Sequence, residues 1–539
     1  MTAKPADDFV ESCGVCTHLE YTDKPYYTQW PTVRQRLLDL GIRHIRDGAA
    51  NPDFVAKISD LASQGVQTIW VLDPGAGIVP TPEFWTPSSV TPRLMLVDFL
   101  KSRGLTNVLS AVEVMNEIDL FYNRSWISDY TQAGYFWKAN NTDPTNHLSS
   151  DSTSALWWGN YIVAMASNTW NVLKADPATS KLTIIGPSFG GWHDKPPTGT
   201  NSLRDFVDWG CFHPYPFGGN SYSVRDSYAT VYWYIGQGQQ PSCNIDEWPF
   251  SFAADQPAVG GKPMAATETG WFTGTANDAV SEAAQAKYVP RLYLEYYRHG
   301  IKRCCHYELL DEGTSASDSE ATRGLLRNDL TPKPAYTALQ NLLALLKDPG
   351  PLITPGALDF TLTKTMPSGY NRPQYVRSVL FQKRDQTFWL VLYHEIASSS
   401  YTTTNGTQIR GVARDIVHPD VTVQVGFNTP IATATLYQPN VSSAAVTNWV
   451  KPQSLSLRIN DSPTVIQLTV DRPRLRSYLN STDQKGRIAI EGQAGHTYYL
   501  QQSTNLTGSW MAAGTYLLNS ATQDLVIPSA PSYWRARTQ

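Results

Sequence analysis

The sequence predicts an α/β fold: a (β/α)8 TIM barrel over residues 10–348, then a β-sandwich over 351–475 and a small C-terminal all-β module over 485–539. Three observations carry that expectation. From Ser12 to about Leu346, short apolar runs alternate with longer helical patterns, the signature of strand–helix units. The apolar runs number eight, which is the count that closes a barrel. Beyond Pro351 the helical spacing stops, and runs of strand length punctuated by turn residues take over.

The eight strands are expected at Ser12 to His18, Ile42 to Asp47, Val66 to Leu72, Val108 to Asn116, Leu182 to Pro187, Trp209 to His213, Pro263 to Glu268 and Ile301 to Tyr307. Between them, Val33 to Leu40 carries apolar residues at helical spacing, and Gly41 is a natural stop. Ala155 to Lys174 and Glu282 to Arg298 are longer and rich in helix formers. Pro334 opens a last helix through Leu346, ended by Asp348-Pro349-Gly350. The loops after the fourth and sixth strands (Asp119 to Ser154, Tyr215 to Met264) are long and rich in Trp, Tyr, Asn and Gly. Long structured loops on a barrel rim form binding surface.

In the β-rich part, strands are expected at Tyr375 to Gln382, Thr387 to His394, Val421 to Phe427, Ile431 to Tyr437 and Thr464 to Val470. Arg384-Asp385-Gln386 is the turn of a hairpin. Asp471 to Gln484 is polar and carries Pro and Arg, so it is read as a linker. Strands near Ile488 to Glu491, Thr497 to Gln502 and Asp524 to Ile527 build the last module.

Composition removes several function classes. A net charge of −4 offers no basic footprint for nucleic acid. No apolar run reaches the roughly 18 residues of a membrane span. Residues Met1 to Asp8 lack the apolar core of a signal peptide. Aromatic residues make up 12% of the chain, with 17 Trp and 28 Tyr. That supply suits stacking on sugar faces, and it suits large β-rich cores equally well. Six cysteines are present: Cys13, Cys16, Cys211, Cys243, Cys304 and Cys305. Four could make a structural zinc site, yet they lie in apolar runs, so buried thiols or one or two disulfides are expected, Cys211–Cys243 among the pairings.

Two runs end on a carboxylate followed by loop chemistry: Val112-Glu113-Val114-Met115-Asn116-Glu117 and Met264-Ala265-Ala266-Thr267-Glu268-Thr269-Gly270-Trp271. By the strand count, Glu117 ends the fourth strand and Glu268 the seventh. Strand ends deliver catalytic groups to one rim of a barrel, and two carboxylates across a cleft are the minimum equipment for cleaving a glycosidic bond. No His-x-His or comparable ligand cluster sits at the strand ends, so neither a metal nor another cofactor is expected.

Asn116-Glu117 and Thr267-Glu268-Thr269-Gly270-Trp271, at those strand positions, resemble the clan A glycoside hydrolases over roughly residues 12 to 346. The barrel followed by a β-sandwich is similar to families 39, 30 and some members of family 5. The resemblance implies Glu117 as acid/base and Glu268 as nucleophile. It also implies Arg46 beside the nucleophile, Asn116 on the sugar 2-hydroxyl, and a His213-Pro214-Tyr215 segment whose Tyr215 orients the nucleophile. At the eighth strand many clan members carry a tryptophan, where this chain has His306-Tyr307-Glu308. Glu308 is thus a third rim carboxylate.

Beside these stand plainer readings. Arg46 could partner a structural acid, and the adjacent Asp47 could be a decoy. His213 could be a core histidine, and Glu113 is expected in a barrel-interior network. His18 ends the first strand and is placed at the substrate. Of Trp157, Trp158, Trp192 and Trp271, the last is the best candidate for a sugar platform. The expected activity is a retaining glycoside hydrolase on β-linked polysaccharide or oligosaccharide, with long rim loops leaning towards endo action. The alternatives are a non-catalytic carbohydrate-binding protein and a transglycosylase using the same pair. A secreted or periplasmic location is expected, with the leader absent from this sequence.

Overall fold

A computed structural model describes residues 1–72, 78–79, 94–117, 152–188, 200–215, 256–276 and 279–396, and most of 398–537 between short breaks. The chain divides into two compact units: Asp8–Leu345 with Glu395–His418, and Met1–Asp7 with Leu346–His394 and Pro419–Gln539. A stretch inside the expected sandwich, Glu395–His418, therefore belongs to the barrel unit.

The parallel sheet of the barrel unit has eight strands where eight were expected: β1 (Cys13–Cys16), β2 (His44–Asp47), β3 (Gln67–Leu72), β4 (Leu109–Val114), β5 (Thr183–Ile185), β6 (Gly210–Phe212), β7 (Met264–Thr269) and β8 (Cys304–His306). They pair in parallel in the order β5-β4-β3-β2-β1-β8-β7-β6. A parallel bridge between Ile185 and Trp209 joins the two ends and closes the ring. Parallel strands need crossover connections, and helices supply them here. They are α1 (Trp30–Leu40), α2 (Pro52–Ser63), α3 (Leu96–Ser102), α4 (Ser152–Ala175) and α5 (Glu282–Arg298), while α6 (Pro334–Leu346) follows the last strand. Gly41 ends α1 in the left-handed region at φ 80°, as its position predicted. Asn51 and Ser281 cap α2 and α5 by accepting from Phe54 N and Ala284 N.

The lower barrel interior is packed by Cys16, Ile69, Ala111, Ile185, Cys211, Ala265 and Cys305 against Trp209 and Tyr307. Small side chains are required there. A Cβ on Gly14 would lie 2.6 Å from Cys305 Sγ. The cysteines behave as compact apolar residues: the five described are free and buried, and burial pushes the Cys305 thiol up to about 12. No disulfide forms among the described residues, and Cys243 lies outside them.

The second unit is built from two assemblies, antiparallel except where Lys4–Pro5 pairs in parallel with Phe381–Gln382. In the sandwich, β9 (Phe360–Thr365), β12 (Val421–Phe427) and β15 (Ser454–Ile459) form one sheet. The other runs Lys4–Pro5, β10 (Val376–Gln382), β11 (Phe388–His394), β16 (Thr464–Val470), β13 (Ile431–Gln438), β14 (Ser442–Val450). Leu390, Leu392, Val423, Val425, Leu457 and Ile466 belong to one shared core drawn from both sheets. The C-terminal module has two three-stranded sheets: β17 (Arg474–Leu479), β18 (Gly486–Glu491) and β21 (Thr522–Val526); and β20 (Met511–Leu517), β19 (Thr497–Ser503) and β22 (Tyr533–Arg537). The expected linker is corrected here. Arg474–Leu479 is a strand in register with Gly486–Glu491, its Leu475 packed on the Ile490 core while Arg476 reaches Glu491 at the surface. One apolar residue facing inward is enough when the partner strand supplies the hydrogen bonds.

Candidate active site

Glu268 owes its orientation to an irregularity in the sheet. On β7, Ala265 packs in the barrel interior and Thr267 bonds to Cys16, Cys211 and His213, so strict alternation would turn Glu268 the other way. The pairing of β7 with β8 shifts register between Ala266 and Thr269. A bulge of this kind re-aims a side chain, and it brings the Glu268 carboxylate to Arg46 and Tyr215.

Arg46, from the end of β2, is the hub. It donates from Nη1 to Glu268 Oε1 at 2.5 Å, from Nε and Nη2 to both oxygens of Glu113 at 2.7 and 2.8 Å, and from Nη2 to Asn116 Oδ1 at 2.7 Å. The expected interior network around Glu113 is present. Asp47, the alternative partner, instead accepts from Thr17 Oγ1, Leu19 N and Gly48 N. Tyr215 donates its hydroxyl to Glu268 Oε2 at 2.5 Å. Burial alone would raise the Glu268 carboxyl. The charges of His213 and Arg46 and the Tyr215 hydrogen bond outweigh it and hold the group down at about 2. Glu268 is therefore an ionised, buried carboxylate with a donor on each oxygen.

Glu117 is set by a distorted strand end. Met115 and Glu117 take positive φ values of 69° and 44°, on either side of Asn116. Left-handed backbone in such residues is strained and collects at functional sites. Ser188, beyond β5, fastens the bend: its Oγ accepts from Glu117 N at 3.2 Å and donates to Met115 O at 3.3 Å. His213, at the end of β6, has Nδ1 2.7 Å from Glu117 Oε1, 3.6 Å from Glu268 Oε2, and Nε2 3.0 Å from Thr267 Oγ1. Its burial opposes protonation, but the negative charge of Glu268 and the bond to Glu117 prevail and raise it. One oxygen of Glu117, one of Glu268 and a His213 nitrogen all lie within 4.8 Å of one another.

Along the β1–β8 edge, His18 contacts Glu312 Oε1 at 2.5 Å, lies 3.4 Å from Glu308 Oε2 and stacks on Tyr21. Glu308 differs from the rim carboxylate that was expected: it is fully buried, accepting from Tyr26 OH at 2.8 Å. Burial raises its carboxyl to about 7, against the opposing pull of His18. Trp271 requires a correction as well. It is fully buried and stacked on Tyr288 of α5, with ring centroids 4.8 Å apart. A ring with no exposed face cannot serve as a sugar platform. The aromatic at the end of β8 is Tyr307, half-buried and edge-on to both Tyr215 and His18. The aromatic position ending the eighth strand was the available signal for it. Ser188 and Arg323, whose guanidinium lies over the Tyr215 ring, carried none. The side chains of Trp157 and Trp158, and Trp192 with most of the two long rim loops, lie outside the described residues.

Three clusters among the described residues bring potential metal ligands together: Glu117–His213–Glu268, Glu113–Cys211–His213 and His18–Glu308–Glu312. In the first two, Arg46 already holds Glu268 and both oxygens of Glu113, and its positive charge opposes a second cation. In the third, His18 and Glu312 are bonded directly to each other.

No family model matches the sequence, and no curated protein matches it. Solved structures of glycoside hydrolases align with this chain, at TM-scores below 0.5. A family 39 glycoside hydrolase from the gut symbiont Bacteroides cellulosilyticus WH2 aligns with a TM-score of 0.45 at 15% identity, covering 86% of this chain and 81% of that chain. A glucosidase from Croceicoccus marinus gives 0.44 at 9% identity, covering 81% and 91%. A β-1,3-glucanase and allergen of Cryptomeria japonica pollen gives 0.38 at 14% identity, covering 60% and 97%. These are likenesses of fold at low identity. What the site can do is read from its own geometry.

Proposed function

We propose that this protein is a retaining glycoside hydrolase acting on a β-linked oligosaccharide or polysaccharide. The observation that supports this is the separation of the pair, with oxygens of Glu117 and Glu268 within 4.8 Å. Retaining enzymes hold their carboxyl groups about 5–5.5 Å apart, whereas inverting enzymes need about 6.5–9.5 Å to admit a water. Glu268, kept ionised and oriented by Arg46 and Tyr215, attacks the anomeric carbon. Glu117 gives a proton to the departing glycosidic oxygen as that bond breaks, with His213 Nδ1 beside it. In the second step Glu117 takes a proton from water, the water oxygen bonds to the anomeric carbon, and Glu268 leaves as carboxylate.

The test is product release from a panel of β-linked polysaccharides and aryl glycosides, read by mass spectrometry, with proton NMR following the anomer first formed. Wild type runs beside Glu117→Ala and Glu268→Ala. The expected outcome is release from one substrate class with retained configuration, and loss of about a thousandfold or more in each variant. Activity that survives Glu268→Ala, or product of inverted configuration, would sink the assignment.

A further inference from the structure

Arg323 lies outside the carboxylate pair, yet it is fastened to the residue that orients one of them. It follows the short 3-10 turn Glu320–Thr322 beyond β8 and is 8% exposed. On one side its guanidinium is gripped by Glu320, with Nε to Oε2 at 3.1 Å and Nη2 to Oε1 at 2.7 Å. On the other it faces aromatic rings: its central carbon is 5.0 Å from the centre of Tyr215, 5.3 Å from Phe272 and 5.8 Å from Tyr307. Nη1 is buried and has no hydrogen-bond acceptor among the described residues.

A buried guanidinium with an unpartnered N–H is costly unless something replaces the lost water. The negative faces of aromatic rings do so, and a cation–π contact strengthens when it is desolvated. The consequence is felt at the far end of one ring. Tyr215 OH is the 2.5 Å donor to Glu268 Oε2. A positive charge over the ring draws electron density from the phenol and makes its O–H a stronger donor. Burial and the Glu268 charge push the Tyr215 hydroxyl towards holding its proton, while Arg323 acts in the opposite sense. The same contact, braced by Tyr307 edge-on to Tyr215 at 6.1 Å, fixes where the hydroxyl points.

We propose that Arg323 is a positioning residue: seated on the Tyr215 ring and anchored by Glu320, it aims and strengthens the hydrogen bond that Tyr215 donates to Glu268. It acts through Tyr215 and touches no reacting atom. The inference rests on the glycosidase reading for its catalytic consequence, but not for its physical basis.

The test is a double-mutant cycle on the full chain. Arg323→Met is expected to lower kcat on an aryl β-glycoside about tenfold with KM within about twofold, and to move the acid limb of the pH–rate profile upward. Arg323→Lys restores most of both. In a Tyr215→Phe background Arg323→Met changes kcat by less than about twofold, because the hydroxyl through which it acts is gone. Losses that multiply across the cycle, or a change confined to KM, would overturn the proposal.

Should Arg323→Met fail to fold, Glu320→Ala unfastens the guanidinium from an exposed anchor. It is expected to lower kcat in wild type and not in Tyr215→Phe, and equal loss in both overturns the coupling. Carbon-13 NMR of ring-labelled tyrosine gives a reading without substrate. The resonance missing in Tyr215→Phe should shift in Arg323→Met and return in Arg323→Lys. No shift overturns the proposal whatever the enzyme acts on, whereas wild type inert on every substrate, with the shift present, counts against the glycosidase reading alone.

Discussion

Arg46 divides one guanidinium between Glu113, bound through both its oxygens at 2.7 and 2.8 Å, and Glu268, bound at 2.5 Å. The first contact lies in the buried barrel interior, and the second holds the proposed nucleophile. Glu113 is fully buried, so it fixes the plane of the guanidinium from below and leaves Nη1 aimed at the carboxylate above.

Glu113→Gln should therefore damage stability more broadly than it damages substrate binding. Removing one partner of a buried, doubly bonded pair costs about 3–5 kcal/mol, since the remaining charge loses its counterpart. Chemical denaturation is the measurement. A loss under about 1 kcal/mol would mean that Arg46 is held by Glu268 and Asn116 alone.

Tyr215→Phe should lower kcat by about a hundredfold, the scale for removing one oriented donor at a charged site. The Tyr215 hydrogen bond favours the ionised form of Glu268, so its removal raises that carboxyl and moves the acid limb of the pH–rate profile to higher pH. An acid limb unchanged or moved to lower pH would contradict the geometry.

Glu268 and Glu308 should leave opposite marks on stability against pH. Glu268 is held below its ordinary 4.5 at about 2, so the stability it contributes is present above 4.5 and is lost as pH falls through that window. Glu308 is raised from 4.5 to about 7, so the folded state holds its proton more tightly and loses stability as pH rises from 4.5 through 7. Glu308→Gln, which mimics the protonated carboxyl, should raise the melting temperature at pH 8 relative to wild type and give no gain at pH 4.5. Melting curves across that range decide it. An equal effect at both ends would mean the carboxyl does not titrate between them.

Trp271→Ala should behave as a core deletion. Loss of the ring stacked on Tyr288 is expected to destabilise the barrel by about 3–5 kcal/mol. KM for any substrate the folded variant still turns over should stay within about twofold. A large rise in KM at unchanged stability would return Trp271 to the cleft.

The sequence by itself determined the barrel, the order of its strands and the two strand ends that carry Glu117 and Glu268. Those features are local: an apolar run of strand length, a terminal carboxylate and a helix between successive runs are written in neighbouring residues. Arg46, Asn116, His213 and Tyr215 were legible through the resemblance to the clan A pattern, which places them at or just beyond strand ends. Tertiary structure decided what each side chain faces. Alternation would have turned Glu268 away, and only the register shift against β8 turns it in. Arg46 chose Glu113 and Glu268 over its neighbour Asp47 because they converge from other strands. Trp271 was taken into the core by Tyr288, and Glu308 by Tyr26, two contacts from distant segments. Arg474–Leu479, polar enough to pass for a linker, became a strand because Gly486–Glu491 offered it a ladder. Periodicity is a property of a segment, whereas the partner that buries or re-aims a side chain comes from elsewhere in the chain.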